Sequence, residues 1–202
     1  MNQLGNLLNI TKEGNSDFNL IAQKLMLNYQ IIKEVDGTVH FYDLTDIEFY
    51  YYGPNHKDEY VHPHFFTKPG LFKVHYSGVD ITLGGDWGKQ EVEIQDLLKK
   101  NKKYSDNNRT FNYDQIKDQI KDDVKYGGVL LRGIKETDKD FPINGPWRVL
   151  CELFHLEGAN LKLSIVEKDN ESKTIYSSKR SGLGDKPGDF KDRLYRFSLK
   201  KL

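Results

Sequence analysis

A chain of 202 residues with 30 basic and 30 acidic side chains is long enough for one sizeable domain or two small ones, and it carries no net charge. This balance weighs against a protein that binds nucleic acid through overall charge, because such proteins usually have a basic surface. No apolar run reaches the roughly 20 residues of a membrane span, the N-terminus lacks the features of a secretion signal, and the single cysteine, Cys151, excludes an internal disulfide, so we expect a cytoplasmic protein.

The predicted elements combine a few helices with many short strands, which is typical of an α+β domain built on a mostly antiparallel sheet. They are a helix at 16–28, strands at 29–33, 39–47, 71–76 and 79–83, a tight loop at 84–88, helices at 90–100 and 113–125, a strand at 127–134, a helix from Pro146, and strands at 161–166, 174–177 and 194–199. Asp36-Gly37 is a hairpin signal and Gly53-Pro54 breaks the chain. No repeat or linker divides the sequence, so a single domain over 1–202 is predicted.

Glu48 is the first candidate for a functional residue. It follows an apolar-rich extended run that begins at Leu44, and it precedes the four aromatic residues 49–52. A carboxylate among aromatic side chains is suited to holding a water molecule for attack. The alternative for this segment is a glutamate at a strand end that faces water.

Arg132 is the second candidate, because it lies inside the apolar run Val129–Ile134. An isolated charge buried in such a strand is costly, so the guanidinium must be paired. Glu48 is the obvious partner. The pair is either a structural salt bridge or a device that fixes a water molecule.

The sequence offers less support for a metal site, for nucleophilic catalysis or for nucleotide binding. His56, His62, His64 and His75 do not follow a standard zinc spacing, and no metal site is predicted. There is no nucleophile elbow and no phosphate-binding glycine loop. Cys151 falls on a predicted helix among apolar residues, where we expect a core position.

Ordered matches across residues 20–197 resemble the alkyladenine (3-methyladenine, methylpurine) DNA glycosylase family. Gly128–Ile134 is similar to the family's Val-Leu-Leu-Arg-Ala strand, and Leu44–Tyr50 to its Ile-Val-Glu-Thr-Glu-Ala-Tyr segment. The remaining matches are Leu20–Leu25, Asp36–Thr38, Gly53-Pro54, Phe66–Phe72, Gly145-Pro146 with Leu150-Cys151, Arg180–Leu183, Gly188-Asp189 and Arg196-Phe197. The resemblance implies a methylpurine-DNA-glycosylase-like domain, with a curved, mostly antiparallel sheet and surrounding helices.

That family flips a damaged purine nucleotide out of the duplex and hydrolyses its glycosidic bond. The resemblance implies that Glu48 activates the attacking water and that Arg132 positions this water and the carboxylate. It implies that Tyr50 stacks on the flipped base and that His62, or else His64, lies at the sugar-phosphate side of the pocket. The implied partner is DNA with a modified purine, with no cofactor, no membrane and no obligate protein partner.

The C-terminal segment 179–202 is rich in basic residues. Such a segment can contact phosphates, and Arg180 and Lys186 are the candidates for contacts to the nucleic-acid backbone. An ordinary solvated chain end is the alternative.

The chain also departs from the family. Ser77 stands before Gly78 where the family has an intercalating tyrosine, so Tyr76 is the candidate for the wedge that enters the duplex. An insertion at about 87–125 has no counterpart in the family. The predicted function is therefore that of a divergent DNA-3-methyladenine-type glycosylase in base excision repair. The alternatives are a non-catalytic module that binds nucleic acid or a small molecule on the same fold, and an interaction protein that presents the helix 113–125 to a partner.

Overall fold

A computed structural model describes residues 3–10, 15–61, 68–86, 124–155, 160–185 and 188–201, and its ten strands form one antiparallel sheet. The helices are α1 (Gln3–Leu7), α2 (Asn15–Asn28) and α3 (Pro146–Phe154). The strands are β1 (Tyr29–Val35), β2 (Thr38–Gly53), β3 (His56–Lys57), β4 (Phe72–His75), β5 (Gly78–Asp86), β6 (Lys125–Glu136), β7 (Ile143–Asn144), β8 (Leu161–Glu167), β9 (Tyr176–Ser178) and β10 (Arg196–Ser198). This architecture confirms the predicted α+β class. In the part of the chain that the structure describes, no helix has the length and apolar character needed to cross a bilayer.

The long strand β2 lies in the interior of the sheet and pairs with four other strands. The main strand order is β4-β5-β6-β2-β1-β8. One edge of β2 pairs with β6, while the other edge pairs first with β1, then with β10 at Asp46–Glu48, and last with β3. Because its partner changes along this edge, the middle of β2 lies between β6 and the C-terminal strand β10.

The two faces of β2 differ in chemistry, as expected for a strand whose successive side chains point to opposite sides. Ile47, Phe49 and Tyr51 enter the hydrophobic core, where Phe49 stacks on Phe18 of α2 with ring centroids 4.8 Å apart. All three helices contribute buried side chains to this core. Glu48 and Tyr50 alternate with the core residues and therefore project from the opposite face.

Several predicted elements are confirmed because their signals are local. Asp36 and Gly37 have φ values of 47° and 85°, the left-handed conformation that a tight hairpin turn needs. The helix predicted at 16–28 begins one residue earlier, and α3 begins at Pro146 as predicted. Proline is favoured at this first position because the missing N–H would have no helical partner.

Other predictions are corrected. Residues 84–86 continue strand β5 and do not form a tight loop, since Gly85 and Asp86 pair with β6. Lys125 opens strand β6 and is not helical. Cys151 is exposed on α3 and does not reach the core, because Val149 and Leu153 form the buried side of that helix. The predicted helix at 90–100 and the rest of the insertion up to residue 123 lie outside the described residues.

Candidate functional site: a buried carboxylate between two arginines

Glu48 lies at the centre of β2 with a fully buried side chain. Its Oε2 accepts hydrogen bonds from the Tyr50 hydroxyl at 2.9 Å and from Arg132 Nη1 at 3.2 Å. Its Oε1 accepts one from the backbone N–H of Ser181 at 3.0 Å. The predicted pairing of Glu48 with Arg132 is confirmed, and the alternative of a water-facing glutamate at a strand end is wrong.

A second charged pair flanks Glu48 on the β10 side. Arg196 stands directly opposite Glu48 in the register, and its Nε is 3.9 Å from Glu48 Oε1. The same guanidinium donates two hydrogen bonds to Asp46, at 3.0 and 2.6 Å. These bonds to Asp46 are the main cause of a raised pKa at Arg196. Sequence reasoning missed Asp46, although its position two residues before Glu48 places both carboxylates on the same face of the strand.

Arg180 has a structural role that corrects its predicted assignment to the nucleic-acid backbone. Its side chain and that of Asp58 are fully buried, and the two are joined by hydrogen bonds of 2.6 and 3.2 Å. Further bonds run from Arg180 to the carbonyl oxygens of Phe49 and Phe190. Since a fully buried guanidinium whose two terminal nitrogens are both engaged cannot contact a phosphate, Arg180 instead fixes the chain at the point where Ser181 donates to Glu48.

Tyr50 connects Glu48 to Arg180. Its hydroxyl donates to Glu48, and its ring lies under the Arg180 guanidinium at 4.6 Å from the ring centroid. Burial, followed by the charge of Glu48, raises the pKa of Tyr50 well above its usual value, so the phenol stays a neutral donor. One ring face is occupied by Arg180, and Tyr50 also packs against the small cluster of Val61, Val124 and Tyr126.

The remaining predicted residues fall in different places. Tyr76 lies at the turn between β4 and β5 and is 68% exposed, a position open to a wedge. His62, His64 and Lys186 lie outside the described residues. Within the described ranges, no group of three or more His, Cys, Asp or Glu side chains is placed to hold a metal ion.

His56, considered above as a metal ligand, is buried among aromatic rings. Its ring centroid is 4.8 Å from that of Phe190 and 5.4 Å from that of Tyr195. Burial lowers the pKa of His56 from 6.5 to about 4, so the ring is neutral at physiological pH. Its role is in packing.

Comparison with known proteins adds no assignment: no protein-family model matches the chain, and no curated protein matches it. The likeness to alkyladenine DNA glycosylases stays a prediction from sequence segments. What bears on function is the geometry around Glu48.

Proposed function

We propose that this protein is a divergent DNA-3-methyladenine-type glycosylase, which hydrolyses the N-glycosidic bond of a modified purine. The observation that carries the proposal is the setting of Glu48, a buried carboxylate held by Arg132, Tyr50 and the Ser181 N–H. Such a carboxylate is oriented before any substrate arrives, and preorganised charge is the main source of transition-state stabilisation in many enzymes.

Among the described residues, the donors to Glu48 leave it with hydrogen-bonding capacity that suits it to hold a water molecule. A carboxylate oxygen can accept two hydrogen bonds, and Oε2 receives both from Tyr50 and Arg132. Oε1 accepts one hydrogen bond from Ser181, and Arg196 at 3.9 Å is too far to be a second donor. The second lone pair of Oε1 is therefore the place where the attacking water would be bound.

The proposed reaction follows from this arrangement. The bond from the sugar C1′ to the base nitrogen breaks, and its electron pair leaves with the base. The positive charge that develops on the sugar is stabilised by the Glu48 carboxylate. The water oxygen forms a bond to C1′, and Glu48 accepts the proton of this water as the general base. Arg132 holds the carboxylate in position and remains 18% exposed, on the outer side of the pair.

Glu48→Gln tests the proposal. Loss of the general base should lower base release from dimethyl-sulfate-treated DNA by about 100-fold or more, and circular dichroism should report a folded protein. Glu34→Gln is a matched control on β1, because Glu34 forms an exposed ion pair with Lys162. A wild-type protein that releases no base from single- or double-stranded alkylated DNA would contradict the proposal.

The complete burial of Glu48 favours a second candidate, a non-catalytic binding module on the same fold. In that case the carboxylate would only neutralise Arg132 and Arg196 in the interior. Glu48→Gln would then destabilise the protein while ligand binding by the folded fraction stayed unchanged, and the wild type would show no turnover. The proposed partner surface on the helix 113–125 stays a prediction, since residues up to 123 lie outside the described part of the chain.

A further inference from the structure

His75 and Asp80 form a polar pair that the proposed hydrolysis does not use. In the sheet register, Glu48 stands opposite Leu130 of β6, and Leu130 stands opposite Asp80 of β5. Residues directly opposite one another on paired strands point to the same face. Asp80 therefore shares the face of Glu48, two strand spacings or about 10 Å away.

Asp80 is held in one orientation by its neighbours. The Ser77 N–H donates to His75 Nδ1 at 3.3 Å, so the ring proton is on Nε2, which donates to Asp80 Oδ1 at 3.0 Å. The Asp80 side chain is only 12% exposed. Among the described residues no hydrogen bond engages Oδ2, so this oxygen can accept one. Lys73 stands directly opposite Asp80 on β4, within range of the carboxylate charge.

A glycine on β6 makes room for this carboxylate. A Cβ atom on Gly128 would lie 2.9 Å from Asp80 Oδ2, closer than real Cβ contacts, and 3.0 Å from Asp80 Cβ, tighter than most of them. Gly128 in turn stands directly opposite Tyr50 on β2. Because Gly128 has no side chain, the carboxylate of Asp80 leans over β6 on the side where Tyr50 projects.

We propose that Asp80 determines which base the site accepts. Its Oδ2 accepts a hydrogen bond from an N–H group on the edge of a base stacked on Tyr50. A base with an amino group at that edge is preferred over a base without one, since the hydrogen bond to the carboxylate is then lost. This inference rests on the proposed function, because it places the base at Tyr50 and the sugar at Glu48.

Equilibrium binding of free adenine and free purine, which differ only in the amino group at this edge, separates the inference from the hydrolysis. Isothermal titration should show that the wild type prefers adenine by about 10-fold or more, the effect of one hydrogen bond to a charged group. Asp80→Asn should abolish or strongly reduce this preference, because a neutral amide lacks the charge that strengthens the hydrogen bond from the amino group. Asp86→Asn, at the exposed end of the same strand, should leave it unchanged.

His75→Ala is a second variant that keeps the Asp80 charge but removes the donor that orients it, and it should reduce the preference to a smaller extent. A wild type that binds neither base or binds both equally would overturn the inference. An Asp80→Asn variant that binds both bases more weakly by the same factor would also overturn it, because that result is expected of a merely structural role. If the adenine preference depends on Asp80 but no alkylated DNA is cleaved, the proposed hydrolysis fails while Asp80 keeps its role in base recognition.

Discussion

At the scale of single residues, the most deeply buried ion pair near the site is the pair of Asp58 and Arg180. Both side chains are fully buried, so removal of one charge leaves the other without compensation in the interior. Asp58→Asn should therefore lower the free energy of unfolding by about 3–5 kcal/mol. Urea denaturation followed by circular dichroism measures this change.

An exposed pair in the same region provides the control. Lys179 and Asp192 are 2.7 Å apart, but their side chains are 61% and 69% exposed. Asp192→Asn should lower the free energy of unfolding by less than about 1 kcal/mol, because solvent screens surface pairs. Equal losses in the two variants would show that burial does not determine the strength of the Asp58–Arg180 pair.

The residues of the site differ in how far the sequence reveals them. Arg132 could be recognised, and Glu48 assigned as its partner, because a charge within an apolar strand must be paired. Arg196 and Asp58 gave no such signal. Their partners are distant in sequence, and the pairs exist only because β10 aligns with β2 and because the segment after β9 closes over Tyr50. Sequence patterns predict which groups need partners, whereas register determines which partners they meet.

At the scale of elements, strand β6 depends on glycines where its neighbours approach closely. A Cβ atom on Gly127 would lie 2.6 Å from the carbonyl oxygen of Tyr50 and 2.9 Å from the ring of Tyr51. Gly127→Ala should therefore push β6 away from β2 and lower the free energy of unfolding by about 1–3 kcal/mol. Gly184→Ala is the matched control, because its added Cβ meets nothing within 4 Å. Similar urea midpoints for both variants would argue against close packing at Gly127.

Elements were predicted well where the decisive chemistry is local and poorly where strand pairing overrides it. The turn at Asp36-Gly37 and the start of α3 at Pro146 follow from backbone preferences of those residues. Gly84-Gly85 carries the same kind of turn signal, yet both residues continue β5. The pairing of Gly85 and Asp86 with β6 outweighs the local preference, and the register irregularity before Gly85 accommodates the left-handed φ of 79° at Gly84.

At the scale of the whole molecule, stability should depend on pH through His56. Its ring packs against Phe18 of α2, Tyr51 of β2, and Phe190 and Tyr195 of the C-terminal segment. Protonation of this ring would place a charge among elements from both ends of the chain. We therefore expect the charge to affect global unfolding.

The direction of the pH effect follows from the two pKa values of His56. In the unfolded chain the pKa of the ring is 6.5, but in the folded protein burial lowers this pKa to about 4. Between these values the unfolded state binds more protons, so the free energy of unfolding falls as the pH is lowered. The loss reaches about 3 kcal/mol below pH 4, in proportion to the difference between the two pKa values.

Urea denaturation between pH 7 and pH 4 measures this dependence as the difference between the wild type and His56→Gln. The variant has no titrating ring at position 56, so its free energy of unfolding should fall less steeply over this range than that of the wild type. His155→Gln, which replaces an exposed histidine, should follow the wild type. Parallel curves for the wild type and His56→Gln would mean that the interior accommodates the charged ring, and the packing of His56 would then not be the source of acid sensitivity.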